Sequence, residues 1–196
     1  MRAFEPLKLY QTLENKENPN EIEEHGPYKG DKSAAWLGLG YYFWDYHIEL
    51  GHWWGMHRYG QSRYIICGAD AEVTDALWDW VAKGRHRAEF RRFVEELEAD
   101  RTYPKNKLYV GNVVMYLLKT KSIKYRAIRA HSGEHTVGFK YKDPKLFKTI
   151  KFVDSHHAKM EFIPPIQVCL FDKTAISLRN YLVVFPDYLA EPAEFA

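Results

Sequence analysis

Two hydrophobic periods divide the chain. Residues 4–12, FEPLKLYQT, alternate as a first strand should, with Leu7 and Leu9 directed inward. Residues 14–24 are polar, and Pro19-Asn20 opens a short helix that stops at Gly26 before a loop over 26–30, GPYKG. Gly38 and Gly40 then permit a tight backbone path into Tyr41-Tyr42-Phe43-Trp44, which has the aromatic bias of a strand. Asp45 is placed to cap a helix from about Tyr46 with Ile48, Leu50, Trp53 and Trp54 on its apolar side. A strand is expected over 63–69. A helix capped by Thr74 should follow, with Ala76, Leu77, Trp80 and Val81 at helical spacing. Phe90, Phe93, Val94 and Leu97 mark an amphipathic helix over 86–100. Tyr103-Pro104 breaks the chain, and 107–121 gives another helix striped by Tyr109, Val113, Tyr116 and Leu117.

After Ser122 the period shortens. Residues 123–130, 135–141, 159–162, 166–171 and 181–185 read as strands, separated by Ser132-Gly133, Asp143-Pro144 and Pro164-Pro165. The pattern implies one α+β domain over 1–196, with a largely antiparallel sheet and a helical insertion at about 71–121.

Composition narrows the class. With 46% apolar residues the chain can bury a core, and 28% charged residues suit a solvated surface. No apolar run reaches membrane-spanning length and no basic start precedes an apolar segment, so a cytoplasmic protein is expected. Cys67 and Cys169 each sit in an apolar run and read as buried thiols. A net charge of +2 does not announce a nucleic-acid binder, yet Lys119, Lys121, Lys124, Arg126 and Arg129 form a basic run. That run suits phosphate or a solvated helix end and strand face.

The order of glycine turn, aromatic strand and helix over 36–55 resembles the donor-site segment of the ADP-ribosyltransferase fold. That group includes poly(ADP-ribose) polymerases and small stand-alone bacterial toxins. In it a first strand ends in a Tyr-His-Gly-Thr-like signature, matched here by Tyr10-Gln11-Thr12, with Gln11 where histidine is usual and the glycine missing. A late strand begins with a catalytic glutamate, and here Gln167 stands at that place in Ile166-Gln167-Val168-Cys169. The resemblance covers about residues 7–55 and 160–186. It implies a mixed, largely antiparallel sheet of the transferase type and NAD as a substrate. Tyr41 or Tyr42 would stack on the nicotinamide, and Gly40 would let the backbone approach its amide. Gln11 and Thr12, next to Tyr10, would bind ribose. Tyr28 and Lys29 would lie beside the dinucleotide, and Gln167 or Glu161 would organise the acceptor. Glutamine can hold a ribose hydroxyl but cannot act as a base. A core aromatic cluster would give the same Tyr-Tyr-Phe-Trp run.

A second constellation is histidine-rich. His131, Glu134 and His135 share one turn, and Asp154, His156 and His157 lie in another, although the spacing matches no firm zinc motif and no metal is expected. The first expectation is therefore a mono-ADP-ribosyltransferase toxin that modifies nucleic acid, RNA slightly favoured, or protein. As implied by the resemblance, it would act in toxin–antitoxin or antiphage defence with an inhibitory antitoxin as partner, and residues 155–159 would contact the acceptor. An endoribonuclease using His131, Glu134 and His135 is the second expectation. A catalytically inert binding module on the same fold is the third.

Overall fold

The computed structural model describes residues 6–30, 35–131, 145–154 and 157–189. Nine strands and four α-helices are present among them: β1 (Leu7–Glu14), α1 (Pro19–His25), β2 (Tyr41–Asp45), α2 (Ile48–Tyr59), β3 (Tyr64–Ala71), β4 (Leu77–Asp79), α3 (Gly84–Ala99), α4 (Val110–Lys119), β5 (Ala127–His131), β6 (Thr149–Lys151), β7 (Lys159–Glu161), β8 (Ile166–Leu170) and β9 (Leu178–Phe185). Seven strands form one sheet in the order β4-β5-β8-β2-β1-β3-β9, and β6 and β7 form a separate antiparallel ribbon. Every pairing in the large sheet is antiparallel except β4 with β5. The mixed α/β composition and the largely antiparallel sheet agree with the sequence pattern.

The sheet must curl. Five strand spacings separate β3 from β4, about 24 Å if the sheet were flat. The chain from Ala71 to Leu77 reaches only about 20 Å when fully extended. Curling brings both ends over a shared inner face, where Leu9, Phe43, Ala71, Leu77, Ala127 and Leu170 pack as one buried cluster. Ala175 and Ile176, from the turn between β8 and β9, close that cluster.

The outer face is covered by helices. Trp44, Leu50 and Trp53 join β2 to α2, while Val113, Val114 and Leu117 of α4 pack near Ile128 and Cys169. Gly51 fits α2 closely against the sheet, since a Cβ there would meet Thr12 Oγ1 at 3.1 Å. Trp78 of β4 stacks on Tyr125 with centroids 5.0 Å apart and meets Phe90 of α3 edge-on, which fixes α3 to the sheet.

Three local expectations change. The helix expected after Thr74 is the edge strand β4. Thr74 Oγ1 accepts the Ala76 N–H in a local turn, and parallel pairing with Ala127, Ile128 and Arg129 overrides the helical spacing. Asp45 does not cap α2: His47 occupies that position without a side-chain bond, Tyr46 adopts φ 65°, and the Asp45 carboxylate turns to Arg129. The stripe on α4 is rotated, with Gly111, Val113, Val114 and Leu117 buried while Tyr109 and Tyr116 are exposed. The strand expected over 135–141 lies outside the described residues.

Candidate functional site

The three segments that carry the resemblance are far apart in sequence and adjacent in the sheet. Tyr10, Gln11 and Thr12 lie on β1, Tyr41 and Tyr42 on β2, and Gln167 on β8, and these strands are neighbours in the order β8-β2-β1. Cross-strand register then sets the faces. Tyr10 pairs with Trp44, Trp44 with Gln167, and Gln167 with Ala130, so these residues share the outer face. Tyr42 pairs with Cys169 on that same face.

Gln167 is half-buried and accepts the Trp36 indole N–H at 2.6 Å. With Trp44 and Tyr10 on the next two strands, this places an amide within a row of aromatic rings. Tyr42, on β2, reaches back to the turn that precedes the strand. Its hydroxyl donates to Gly38 O at 2.7 Å and accepts the Leu37 N–H at 2.9 Å, and burial pushes its pKa up. Gly38, at φ 106°, makes this turn possible. Gly40 has another constraint: a Cβ would stand 2.4 Å from Leu170 O, so the close approach it permits is to β8.

Gln11 faces the other way. It is buried on the inner face, where β1 pairs with β2 only at Leu9 and Tyr10 although it pairs with β3 along its whole length. In the wedge that opens, the Gln11 amide donates to Tyr28 O at 2.9 Å and Tyr42 O at 3.2 Å. Its oxygen accepts the Tyr28 N–H at 2.9 Å and the Tyr181 hydroxyl at 2.8 Å. Both N–H bonds and both lone pairs are thus occupied. Thr12 Oγ1 donates to Gly51 O at 3.0 Å. Gln11 and Gln167, the two residues standing where histidine and glutamate are usual, lie on opposite faces.

Glu161, on β7, forms a 2.6 Å pair with His131 Nε2 at the end of β5. Sequence reasoning placed His131 with Glu134 and His135, which lie with Ser155 and His156 outside the described residues. Two residues from His131, Arg129 donates to Asp45 and reaches Asp79 at 3.5 Å, with both carboxylates buried. The β-pattern held the signal for this triad: single charges on buried strands pair or pay desolvation. Arg126 is also engaged, bonding Asp172 at 3.1 Å, so the basic run does not present all its charges on one open face.

Cys67 and Cys169 are buried and free, and burial pushes each thiol up to about 12, which makes both poor nucleophiles. Among the described residues no group of three or more His, Cys, Asp and Glu side chains is gathered to hold a metal, and no helix is long and apolar enough to cross a membrane. The aromatic candidates thus lie on both faces of the sheet, Tyr10 and Tyr42 on the outer one and Tyr41 on the inner, while Trp44 is buried beneath α2. No family model, curated protein or solved structure matches the chain.

Proposed function

We propose that the protein is an NAD-dependent mono-ADP-ribosyltransferase that modifies a macromolecule, with RNA favoured over protein. The observation that carries this reading is the adjacency of β8, β2 and β1, which gathers the Gln167, Tyr42 and Tyr10-Gln11-Thr12 segments from opposite ends of the sequence. The chemistry asks for positioning more than for strong acids or bases. NAD carries its own cationic leaving group, and the protein needs to stack the nicotinamide, hold the ribose and place an acceptor near the anomeric carbon. The half-buried Trp36 and Gln167 supply one ring and one oriented amide. Glu161, at the end of the strand before β8, is a carboxylate that His131 already orients.

The working context would be a cytoplasmic toxin held in check by an antitoxin, in toxin–antitoxin or antiphage defence. The test is incubation of purified protein with labelled NAD and separate pools of RNA, DNA and cell protein. Label entering one pool, and lost on Trp36→Ala, supports the transferase and names its target. Absence of both transfer and nicotinamide release from folded protein refutes it.

One observation favours a second reading, an inert binding module on the same sheet. All four hydrogen-bonding positions of Gln11 are taken by the protein itself. Such a module would bind NAD without releasing nicotinamide.

A further inference from the structure

Two lysines from distant parts of the chain converge on one aromatic ring. Lys29 Nζ lies 5.8 Å from the centroid of Tyr41, and Lys173 Nζ lies at the same distance from it. Lys173 is also 5.9 Å from the Tyr28 ring. The two ammonium groups are therefore no farther apart than about twice the first distance. Among the described residues neither has a carboxylate within salt-bridge reach, and both lysines are exposed.

The backbones that deliver these side chains are fixed. Lys29 lies between Tyr28, whose N–H and C=O both bond Gln11, and Gly30, whose N–H donates to Gly40 O at 2.9 Å. Lys173 follows Asp172, which accepts Thr174 N–H and hydroxyl bonds at 2.7 Å and pairs with Arg126. Lys173 further donates to His25 O, which ties the turn after β8 to the end of α1. Two like charges held around one tyrosine ring, with no carboxylate paired to either among the described residues, repel one another. An anion between them removes that repulsion and gains charge-assisted hydrogen bonds.

We propose that Lys29, Lys173, Tyr28 and Tyr41 form a binding site for the diphosphate group of a nucleotide. A diphosphate carries enough charge to engage both ammonium groups, and the tyrosine faces offer apolar contact to the attached ring. Naming the nucleotide as NAD rests on the transferase reading, whereas the anion site itself does not. Lys173 is new to the picture, since nothing in its sequence context marks it.

The experiment is calorimetric titration of inorganic pyrophosphate, ADP-ribose and a short single-stranded oligonucleotide into the full chain. Lys29→Gln, Lys173→Gln and the double variant are compared with Lys16→Gln as an exposed control. Each of the two lysine changes should weaken pyrophosphate binding about tenfold, as for loss of one charge-assisted hydrogen bond, and Lys16→Gln should leave it unchanged. ADP-ribose should bind more tightly than pyrophosphate, and Tyr41→Leu should remove that gain. Absence of pyrophosphate binding, or equal binding by the double variant, overturns the site. Lysine-dependent binding of the oligonucleotide without ADP-ribose binding overturns the nucleotide assignment and gives the phosphate to a strand backbone. Retained pyrophosphate binding without nicotinamide release refutes only the transferase reading. Nicotinamide release untouched by either lysine change, with no pyrophosphate binding, refutes only the site.

Discussion

The side-chain amide of Gln11 pairs with the backbone of Tyr28 as a neighbouring strand would, donating to its carbonyl and accepting its N–H, both at 2.9 Å. Where β1 and β2 part, this one side chain replaces the missing ladder and fastens the loop after α1 into the wedge. Replacing it should therefore destabilise the fold whether or not NAD is bound. Gln11→Ala is expected to cost roughly 3 kcal/mol, because each stranded buried polar group costs about 1–3 kcal/mol. Gln11→Glu keeps the shape but sets a carboxylate against the Tyr28 and Tyr42 carbonyls, so its loss should be at least as large. Urea unfolding of both variants measures this, and a Gln11→Glu protein as stable as the parent would rule out the structural role.

Arg129 links β5 to β2 across the intervening β8, donating from Nε and Nη2 to Asp45 at 2.7 and 2.6 Å. Asp79 shares the guanidinium and also accepts the Val81 and Ala82 N–H groups at 2.9 Å. Arg129→Met should leave two buried carboxylates without their cation and cost about 3–5 kcal/mol. Adding Asp45→Asn should recover part of that loss, which a double-mutant cycle reads directly.

Gln167 offers a gain-of-function test of the proposed chemistry. Gln167→Glu would keep an acceptor for the Trp36 indole N–H, a bond that favours the ionised carboxylate. Under the transferase reading, nicotinamide release should rise by about 100-fold, the low end for a positioned acid or base. High-performance chromatography of nicotinamide from parent and variant checks this, and no change would detach Gln167 from the reaction.

Acidification should destabilise the protein through His52 and His86. Burial lowers both pKa values, and Lys83 and Arg85 lower that of His86 further. The Asp79 N–H also donates to His86 Nδ1 at 2.9 Å, a bond that requires this nitrogen to be unprotonated. Between the folded pKa values and the ordinary value near 6.5, the unfolded chain binds more protons than the folded one. Stability should accordingly rise with pH through that window and fall as pH drops below about 6.5. Melting curves at pH 7.5, 6.5 and 5.5 should shift downward in that order, and NMR titration should place both histidines below 6.5.

Much of the architecture was legible in local pattern. The strand periods at β1, β2, β3, β8 and β9 and the Phe90, Phe93, Val94 and Leu97 spacing of α3 depend on which residues can face a core, and that choice is written residue by residue. The same holds for Cys67 and Cys169, whose apolar neighbours announced their burial. Only the tertiary structure decided the rest, because it depends on contacts across the sheet. Leu77, Trp78 and Asp79 became a strand when β5 offered a parallel edge, and Asp45 left the helix start when Arg129 came within reach. Register placed Gln11 on the inner face and Gln167 on the outer one, a relation that a shift of one residue would reverse and that local sequence does not specify. Lys29 and Lys173 met over Tyr41 because the turn after β8 folds back beside α1. The sequence determined which segments bury apolar surface; the curl and pairing of the sheet determined which polar groups meet, since hydrogen bonds and charges act only at distances the chain order leaves open.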